Sequence, residues 1–390
     1  MKRKICIVVH SRANYGRIKT VIREIAKHPD LELQLLVGSS ALLHRYGSVI
    51  DIIRNDGFKE AAVVHSIIEG ETPTTMAKST GLAIIELSTH FDNLKPDVVL
   101  TVADRFETLA TAVAASYMNI PLAHTQGGEV TGSIDESVRH AISKLAHVHF
   151  PATKRAAQYL MRMGEEADTI HLTGCPAIDL VAESDLTLPD DIFTRKRGVG
   201  EELDVNKDYV IVLQHPVTTE YGSGLAQIRE TLQAVHKVAL EGMQVVWLWP
   251  NVDAGSDDIS KGIRSFREQN ETPNMHFYLN FSPEDYAALL ANTRCIIGNS
   301  SSGLREGAYL GTPCVNIGTR QSGRERASNV IDVECNAGQI FDALAKQLQH
   351  GRYQSSHIVG DGKAGARIAD ILATQSFRIQ KKLSYLRDEV

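Results

Sequence analysis

Short apolar runs alternate with stretches of helical period through the first part of the chain. Ile5 to Val9 precedes Arg17 to Ala26, Leu33 to Val37 precedes Tyr46 to Asn55, and Val98 to Val102 precedes Phe106 to Tyr117, with Pro121 to His124 following. This βαβ rhythm predicts a parallel sheet covered by helices on both faces, a Rossmann-like first half. Around Ser184 to Asp208 the pattern fails: the segment is charged, holds Pro and Gly, and lacks a sustained apolar period. A domain junction is expected there. A second series then begins, with strands at Tyr209 to Leu213, Val245 to Trp249, Cys295 to Ile297 and Cys314 to Ile317, and a helix at Ala226 to Leu240. The expected α/β architecture is therefore two Rossmann-like domains, residues 1–183 and 184–363, with a helical segment 364–390 returning to the first. Tandem domains of this kind are expected to leave a cleft beyond the carboxyl ends of their strands, where ligands of open α/β sheets bind.

The chain has 390 residues, 43% of them hydrophobic, enough for two cores. A formal charge of -6, with scattered Lys and Arg, argues against a nucleic-acid surface. Five widely spaced cysteines with no C-x-x-C pair suggest neither a disulfide frame nor a zinc site. The basic start MKRK leads into a first strand rather than a signal peptide, and no apolar stretch approaches a membrane span, so a cytoplasmic protein is expected. No G-x-G-x-x-G follows the first strand, and no P-loop, H-E-x-x-H or D-x-D occurs, so neither a dinucleotide nor a chelated metal is indicated.

Polar residues gather where strands end. Ala103-Asp104-Arg105 follows one strand, and Gln126-Gly127-Gly128-Glu129 follows the next, with Asp135, Glu136, Arg139 and His140 close behind. Carboxylates delivered from adjacent strand ends are the raw material of acid–base chemistry, although each could serve alone as a cap or turn residue. Arg12 lies just after the first strand, His215 just after Leu213, and Asn251 just after Trp249. The segment Cys295 to Arg326 runs from a strand through Gly298-Asn299 and Ser300, Ser301 and Ser302 into a helical pattern carrying Glu306 and stopping near Gly311. Arg320, Arg324 and Arg326 follow. Hydroxyls and unpaired N–H groups at a helix start suit phosphate oxygens, so this segment is a candidate diphosphate holder, with an ordinary serine cap as the alternative.

The blocks SRANYGRIK, ADRFETLA, HTQGGEVTGSIDESVRHAISKLAH, LQHPVTTE, PNVDAGS, GNSSSGLREGAYLGTP and NIGTRQSGRE occur in this order along nearly the whole chain. Together they resemble the hydrolysing UDP-N-acetylglucosamine 2-epimerases, the stand-alone bacterial sialic-acid-pathway type. The resemblance implies a GT-B fold, a UDP-sugar substrate, no redox cofactor or metal, and a homo-oligomer, dimer or tetramer. It implies anti elimination of UDP to a 2-acetamidoglucal, followed by syn hydration to N-acetylmannosamine. It further implies catalytic carboxylates at Asp104 and Asp135 and a histidine at the leaving diphosphate, His215. Ser300, Ser301 and Ser302 would form the diphosphate loop and Glu306 the ribose contact, with Arg12, Asn251 and Arg320 as further substrate contacts. Arg105 follows Asp104 as in hydrolysing members.

Two positions depart from the family pattern. Gln126 stands where many relatives carry a catalytic glutamate, and Asn14 where an aspartate is expected. A carboxamide cannot take a proton from carbon, so either Glu129 or Asp135 works as the base, or Gln126 marks a subgroup using UDP-2,4-diacetamido-2,4,6-trideoxyglucose, the precursor toward legionaminic acid. Competing readings are a GT-B glycosyltransferase and a catalytically silent UDP-sugar binder.

Overall fold

A computed structural model describes residues 2–196, 198–251 and 253–382. The chain divides into two compact units. Unit 1 holds the residues up to Val130, Ile134–Ala182 and the described chain from Val359, while unit 2 holds Thr131–Ser133 and Glu183–Ile358. The elements leading into unit 1 are β1 (Arg3–Val9), α1 (Arg12–Lys27), β2 (Leu31–Gly38), α2 (Val49–Asn55), β3 (Ala62–Val64), α3 (Pro73–Leu94) and β4 (Val98–Val102). After these come α4 (Phe106–Tyr117), β5 (Leu122–Thr125), α5 (Asp135–Leu145), β6 (Val148–Phe150), α6 (Lys154–Arg162) and α7 (Pro176–Glu183).

Unit 2 begins with β7 (Gly198–Gly200), β8 (Tyr209–Leu213), α8 (Gly224–Leu240), β9 (Gln244–Leu248), α9 (Ser256–Gln269) and β10 (Met275–Tyr278). It continues with α10 (Pro283–Asn292), β11 (Cys295–Gly298), α11 (Ser301–Leu304), α12 (Glu306–Leu310), β12 (Cys314–Ile317), β13 (Val330–Val333) and α13 (Ala337–His350). The last helix, α14 (Ala364–Thr374), returns to unit 1, where it packs on α1.

Unit 1 is built on a six-stranded sheet of order β3-β2-β1-β4-β5-β6, parallel throughout. Its strands are apolar on both faces because both faces are covered. Ile5, Ile7 and Val9 pack with Ile18, Ile22 and Ile368 on one side; Cys6, Val8 and Val99 pack with Leu87, Ala110 and Ile142 on the other. Unit 2 is built on a seven-stranded sheet of order β13-β12-β11-β8-β9-β10-β7, parallel except for the edge strand β7. The charged segment ahead of β8 contributes Ile192, Phe193 and Leu203 to this unit's core, beside Tyr209 and Tyr278. Among the described residues, no helix is long and apolar enough to cross a membrane.

Three elements depart from their sequence pattern. The helix expected from Tyr46 starts only at Val49, because Gly47 (φ 90°) and Ser48 (φ 42°) adopt left-handed backbone that ends a short 3-10 turn first. The helix around Glu306 is split: Arg305 leaves helical geometry (φ -106°, ψ -81°), and the Asn329 side-chain amide donates to the Gly303 carbonyl in place of a helical N–H. The segment expected to be helical over 364–390 is helical only to Thr374. Arg3 donates to the carbonyls of Leu372 and Gln375, stopping the ladder, and residues 383–390 lie outside the described ones.

Candidate active site

In each sheet the chain reverses its direction of strand addition once: between β1 and β4 in unit 1, and between β8 and β11 in unit 2. Loops leaving two such strands diverge to opposite faces and open a crevice, the position where open α/β sheets bind ligands. The residues singled out from the sequence gather at these two places.

In unit 1, β1 delivers His10 and then Arg12, the first residue of α1. β4 delivers Ala103, Asp104 and Arg105, and β5 delivers Gln126. Ala103 (φ 62°) and Gln126 (φ 61°) both take left-handed backbone, a conformation that non-glycine residues adopt at a cost of about 1–3 kcal/mol and that concentrates at functional turns. The Ala103 N–H donates to the Thr125 carbonyl at 3.1 Å and the Gln126 N–H to the Phe150 carbonyl at 2.9 Å, so neighbouring strands hold both turns. Gly127 and Gly128 are needed by close approach. A Cβ on Gly128, already at φ +76°, would sit 2.2 Å from the Ala156 carbonyl oxygen.

The centre of this cluster is Arg139, 1% exposed, on α5. Its guanidinium forms an ion pair with Asp104, itself 7% exposed, and donates to the Glu129 carbonyl at 2.9 Å. Asp135 heads the same helix four residues earlier, a spacing that puts it on the Arg139 face. Arginine is ionised at any working pH, so Asp104 has a fixed cationic neighbour. Arg105 is likewise buried and binds Glu107 through two N–H groups, at 3.1 and 3.2 Å.

Two neutral imidazoles complete the setting. Burial, assisted by the Arg105 charge, pushes His10 down to about 3. Burial also holds His124 at about 3, although its bond to the Ala103 carbonyl pulls upward. A carbonyl can only accept, so the His124 Nε2–H donates to Ala103 at 2.7 Å and its Nδ1 accepts from the Ser143 hydroxyl at 3.1 Å. His124 thus props the turn ahead of Asp104. Gln126, 1% exposed, donates its amide to the Cys175 sulfur at 3.5 Å, and among the described residues its Oε1 has no hydrogen-bond partner. Asn14 is explained locally: its Oδ1 accepts the His10 N–H at 3.3 Å and its N–H donates to the Ser11 hydroxyl capping α1.

Unit 2 builds its cluster differently. Asn299, 2% exposed, joins the two strand ends: its Oδ1 accepts the His215 N–H at 2.7 Å and its amide donates to the His215 carbonyl at 2.8 Å. The Asn251 N–H donates to His215 Nδ1 at 3.2 Å. That bond places the imidazole proton on Nε2, so Nε2 is the atom that can donate to an anion. Arg320 and Gln321 converge on the Asn299 carbonyl at 3.1 and 2.8 Å. Gly298 (φ +129°) allows the chain to pass the Leu213 carbonyl, which a Cβ would approach to 2.2 Å.

Ser300 caps the four-residue α11, the hydroxyls of Ser300 and Ser302 lie 2.9 Å apart, and Tyr286 reaches Ser302 at 2.6 Å. Ser301 and Glu306 head α11 and α12. What this segment offers an anion is clustered hydroxyls and N–H groups rather than a long helix dipole.

The structure brings Asp104 into contact with Arg139, and Asn299 into contact with His215, Arg320 and Gln321. Sequence reasoning passed over Arg139, Asn299 and Gln321 as site residues. The i, i+4 spacing from Asp135 was the available signal for Arg139, and the position of Asn299 between Gly298 and the serines the signal for that residue. Among the described residues, no group of three or more His, Cys, Asp or Glu is arranged to hold a metal ion.

Two Rossmann-like units whose polar groups gather at the switch points define a class of α/β proteins of the GT-B type. The solved UDP-GlcNAc 2-epimerase of Methanocaldococcus jannaschii, in complex with UDP-GlcNAc and UDP, has this fold: it superposes with a TM-score of 0.78 at 18% identity, over 95% of this chain and 99% of that one. The sequence profile of the UDP-N-acetylglucosamine 2-epimerase family matches residues 23–373, and the chain belongs to that family of enzymes. It is 34% identical to the hydrolysing UDP-N,N'-diacetylbacillosamine 2-epimerase of Legionella pneumophila, over 96% of both chains. It is also 31% identical to the UDP-N-acetylglucosamine 2-epimerase of Neisseria meningitidis serogroup B, over 93% of this chain and 92% of that one. The resemblance seen in the sequence blocks is borne out at the level of family and fold.

Proposed function

We propose that the chain is a hydrolysing UDP-sugar 2-epimerase that converts UDP-N-acetylglucosamine to N-acetylmannosamine and UDP. In the first step a base takes the C2 proton as the C1–O bond to UDP breaks, anti, leaving a 2-acetamidoglucal. In the second, water adds syn across the double bond: C1 gains the hydroxyl and C2 regains a proton, with inverted configuration. The observation that carries this reading is the buried Asp104–Arg139 pair at the first switch point, with Glu129 and Asp135 on the same loop and helix. Burying an ion pair costs desolvation, and one set at a switch point beside two further carboxylates is a candidate for acid–base work.

Asp104 and one of Glu129 or Asp135 move the C2 proton and stabilise the cationic ring. Gln126 cannot act as the base. Its unpartnered buried Oε1 is suited to accept a hydrogen bond from a sugar N–H or O–H group instead. In unit 2, His215 Nε2–H donates to the departing diphosphate, and the Ser300 to Ser302 loop and Arg320 hold it, while Glu306 takes the ribose. Arg12, Arg105 and Asn251 are further substrate contacts.

A second reading is the same chemistry on UDP-2,4-diacetamido-2,4,6-trideoxyglucose. Gln126 in the usual glutamate position, and the 34% identity to the Legionella pneumophila protein named for that sugar, favour it. Incubation with each UDP-sugar, without acceptor, and product identification by NMR tests both. UDP and a free 2-epimerised sugar from one donor are expected; two donors recovered intact would refute both readings and leave a silent binder or an acceptor-dependent transferase.

A further inference from the structure

Helix α5 carries Asp135 and Arg139 at its first turns; at its other end the Ala146 N–H reaches the Ile142 and Ser143 carbonyls, and the last turn still has carbonyl capacity to fill. A cation fills it. The Lys381 ammonium, from the segment after α14, donates to the carbonyls of Ser143, Lys144 and Ala146 at 3.1, 2.8 and 2.6 Å. It also meets Glu165 at 2.5 Å, whose side chain is fully buried and accepts from Lys144 at 2.7 Å and His149 at 3.1 Å. Burial alone would raise the Glu165 carboxyl, but these three donors together hold it down at about 2.

The segment carrying Lys381 is fastened in two other places. Arg3 lies over the Phe377 ring, and the Ile379 carbonyl accepts from His147 at 3.1 Å. Its socket is also connected to the turn ahead of Asp104. Ser143, whose carbonyl takes Lys381, gives its hydroxyl to His124, and His124 donates to Ala103. His149, on the other side of Glu165, pairs in register with His124 across β5 and β6.

We propose that Lys381 is a positioning residue: by closing the C-terminus of α5 it fixes the register of the helix that holds Arg139 against Asp104, and so the geometry of proton transfer. The inference rests on the reading of Asp104 and Asp135 as the acids that act on the sugar. A cation against the last carbonyls is the arrangement a helix C-terminus favours, and one with three carbonyl acceptors and a buried counter-ion constrains the helix along its axis as well as around it. Displacement of a catalytic group by about 1 Å is enough to cost roughly 100-fold in rate.

The test compares the full chain with Lys381→Met and Lys381→Arg by two readouts. In hydrogen exchange, Lys381→Met is expected to speed exchange of the α5 amides roughly tenfold, with α4 and unit 2 unchanged. In UDP-release kinetics it is expected to lower kcat roughly 10- to 100-fold with KM within about twofold, and Lys381→Arg to recover most of kcat. Wild-type kcat in Lys381→Met, or equal losses in both variants that follow a lower melting temperature, overturns the proposal. If the unaltered chain turns over no UDP-sugar, the functional reading fails instead, and α5 exchange alone then decides: unchanged exchange in Lys381→Met refutes the helix clamp, and local acceleration sustains it.

Discussion

The two switch points solve one problem, holding a side chain at the end of a parallel strand, with opposite means. Unit 1 uses charge. Arg139 reaches Asp104 and the Glu129 carbonyl, Arg105 grips Glu107, and two imidazoles are kept neutral by burial. Unit 2 relies chiefly on neutral hydrogen bonds, with Asn299 bridging two strand ends and hydroxyls clustered on a broken helix, and has Arg320 on the Asn299 carbonyl in place of an ion pair. An asparagine could position Asp104 as well as it positions His215, at lower desolvation cost. Under the proposed function the ion pair in unit 1 serves reaction chemistry, and the amide lattice in unit 2 a steady grip on a ligand that brings its own charge.

That contrast can be broken most severely at Asp104. An Asp104→Asn variant keeps the shape and loses the charge, so kcat for UDP release is expected to fall by about 10²–10⁴-fold, while UDP affinity measured by calorimetry stays within about twofold. Loss of UDP binding in that variant would mean that unit 1 also contributes to the grip. The reverse experiment is His215→Ala. It removes the proposed donor to the diphosphate and is expected to cost about 10²–10³-fold in kcat/KM, with weaker UDP binding. Unchanged UDP affinity there would undo the division of labour.

Smaller effects sharpen the comparison. Asn299→Ala leaves the His215 N–H and carbonyl without their bridging amide, and a loss of about 1–3 kcal/mol in urea unfolding is expected, concentrated in unit 2. Acid acts on the other unit. His10 and His124 sit near 3 in the fold against an ordinary value of 6.5, so their contribution is full above about pH 6.5 and is lost as pH falls toward 3. Glu165, near 2, is also depressed, and its contribution falls away over the carboxylate range below about pH 4.5. Unfolding midpoints should therefore decline from near pH 6.5 downward, and His10→Asn should flatten the decline. A midpoint that holds steady to pH 5 in the unaltered chain would show that these imidazoles are not buried as described.

The strand ends were the legible part of this molecule. Val98 to Val102, Tyr209 to Leu213 and Cys314 to Ile317 coincide with β4, β8 and β12, because strands covered on both faces are written as short continuous apolar runs. The polar residues directly after them could be nominated for the same reason. What could not be read was partnership. Nothing in the local sequence ties Arg139 to Asp104, Asn299 to His215 or Lys381 to Glu165, since each pair comes from separate elements that meet only in the fold. The break at Arg305 was hidden as well, because the side chain that takes the Gly303 carbonyl there, Asn329, is distant in sequence. Gln126 was conspicuous as a departure, but its left-handed backbone and unpartnered oxygen became visible only in the fold.

The central claim is that carboxylates of unit 1 exchange a carbon-bound proton during catalysis. It is tested most directly by running the reaction in heavy water with UDP-N-acetylglucosamine and with the 2,4-diacetamido sugar, and reading C2 of the released product by NMR. The account predicts one deuterium at C2 of a 2-epimerised sugar from at least one donor, and none from the Asp104→Asn variant under the same conditions. Release of UDP with C2 still bearing its original proton and configuration would contradict it.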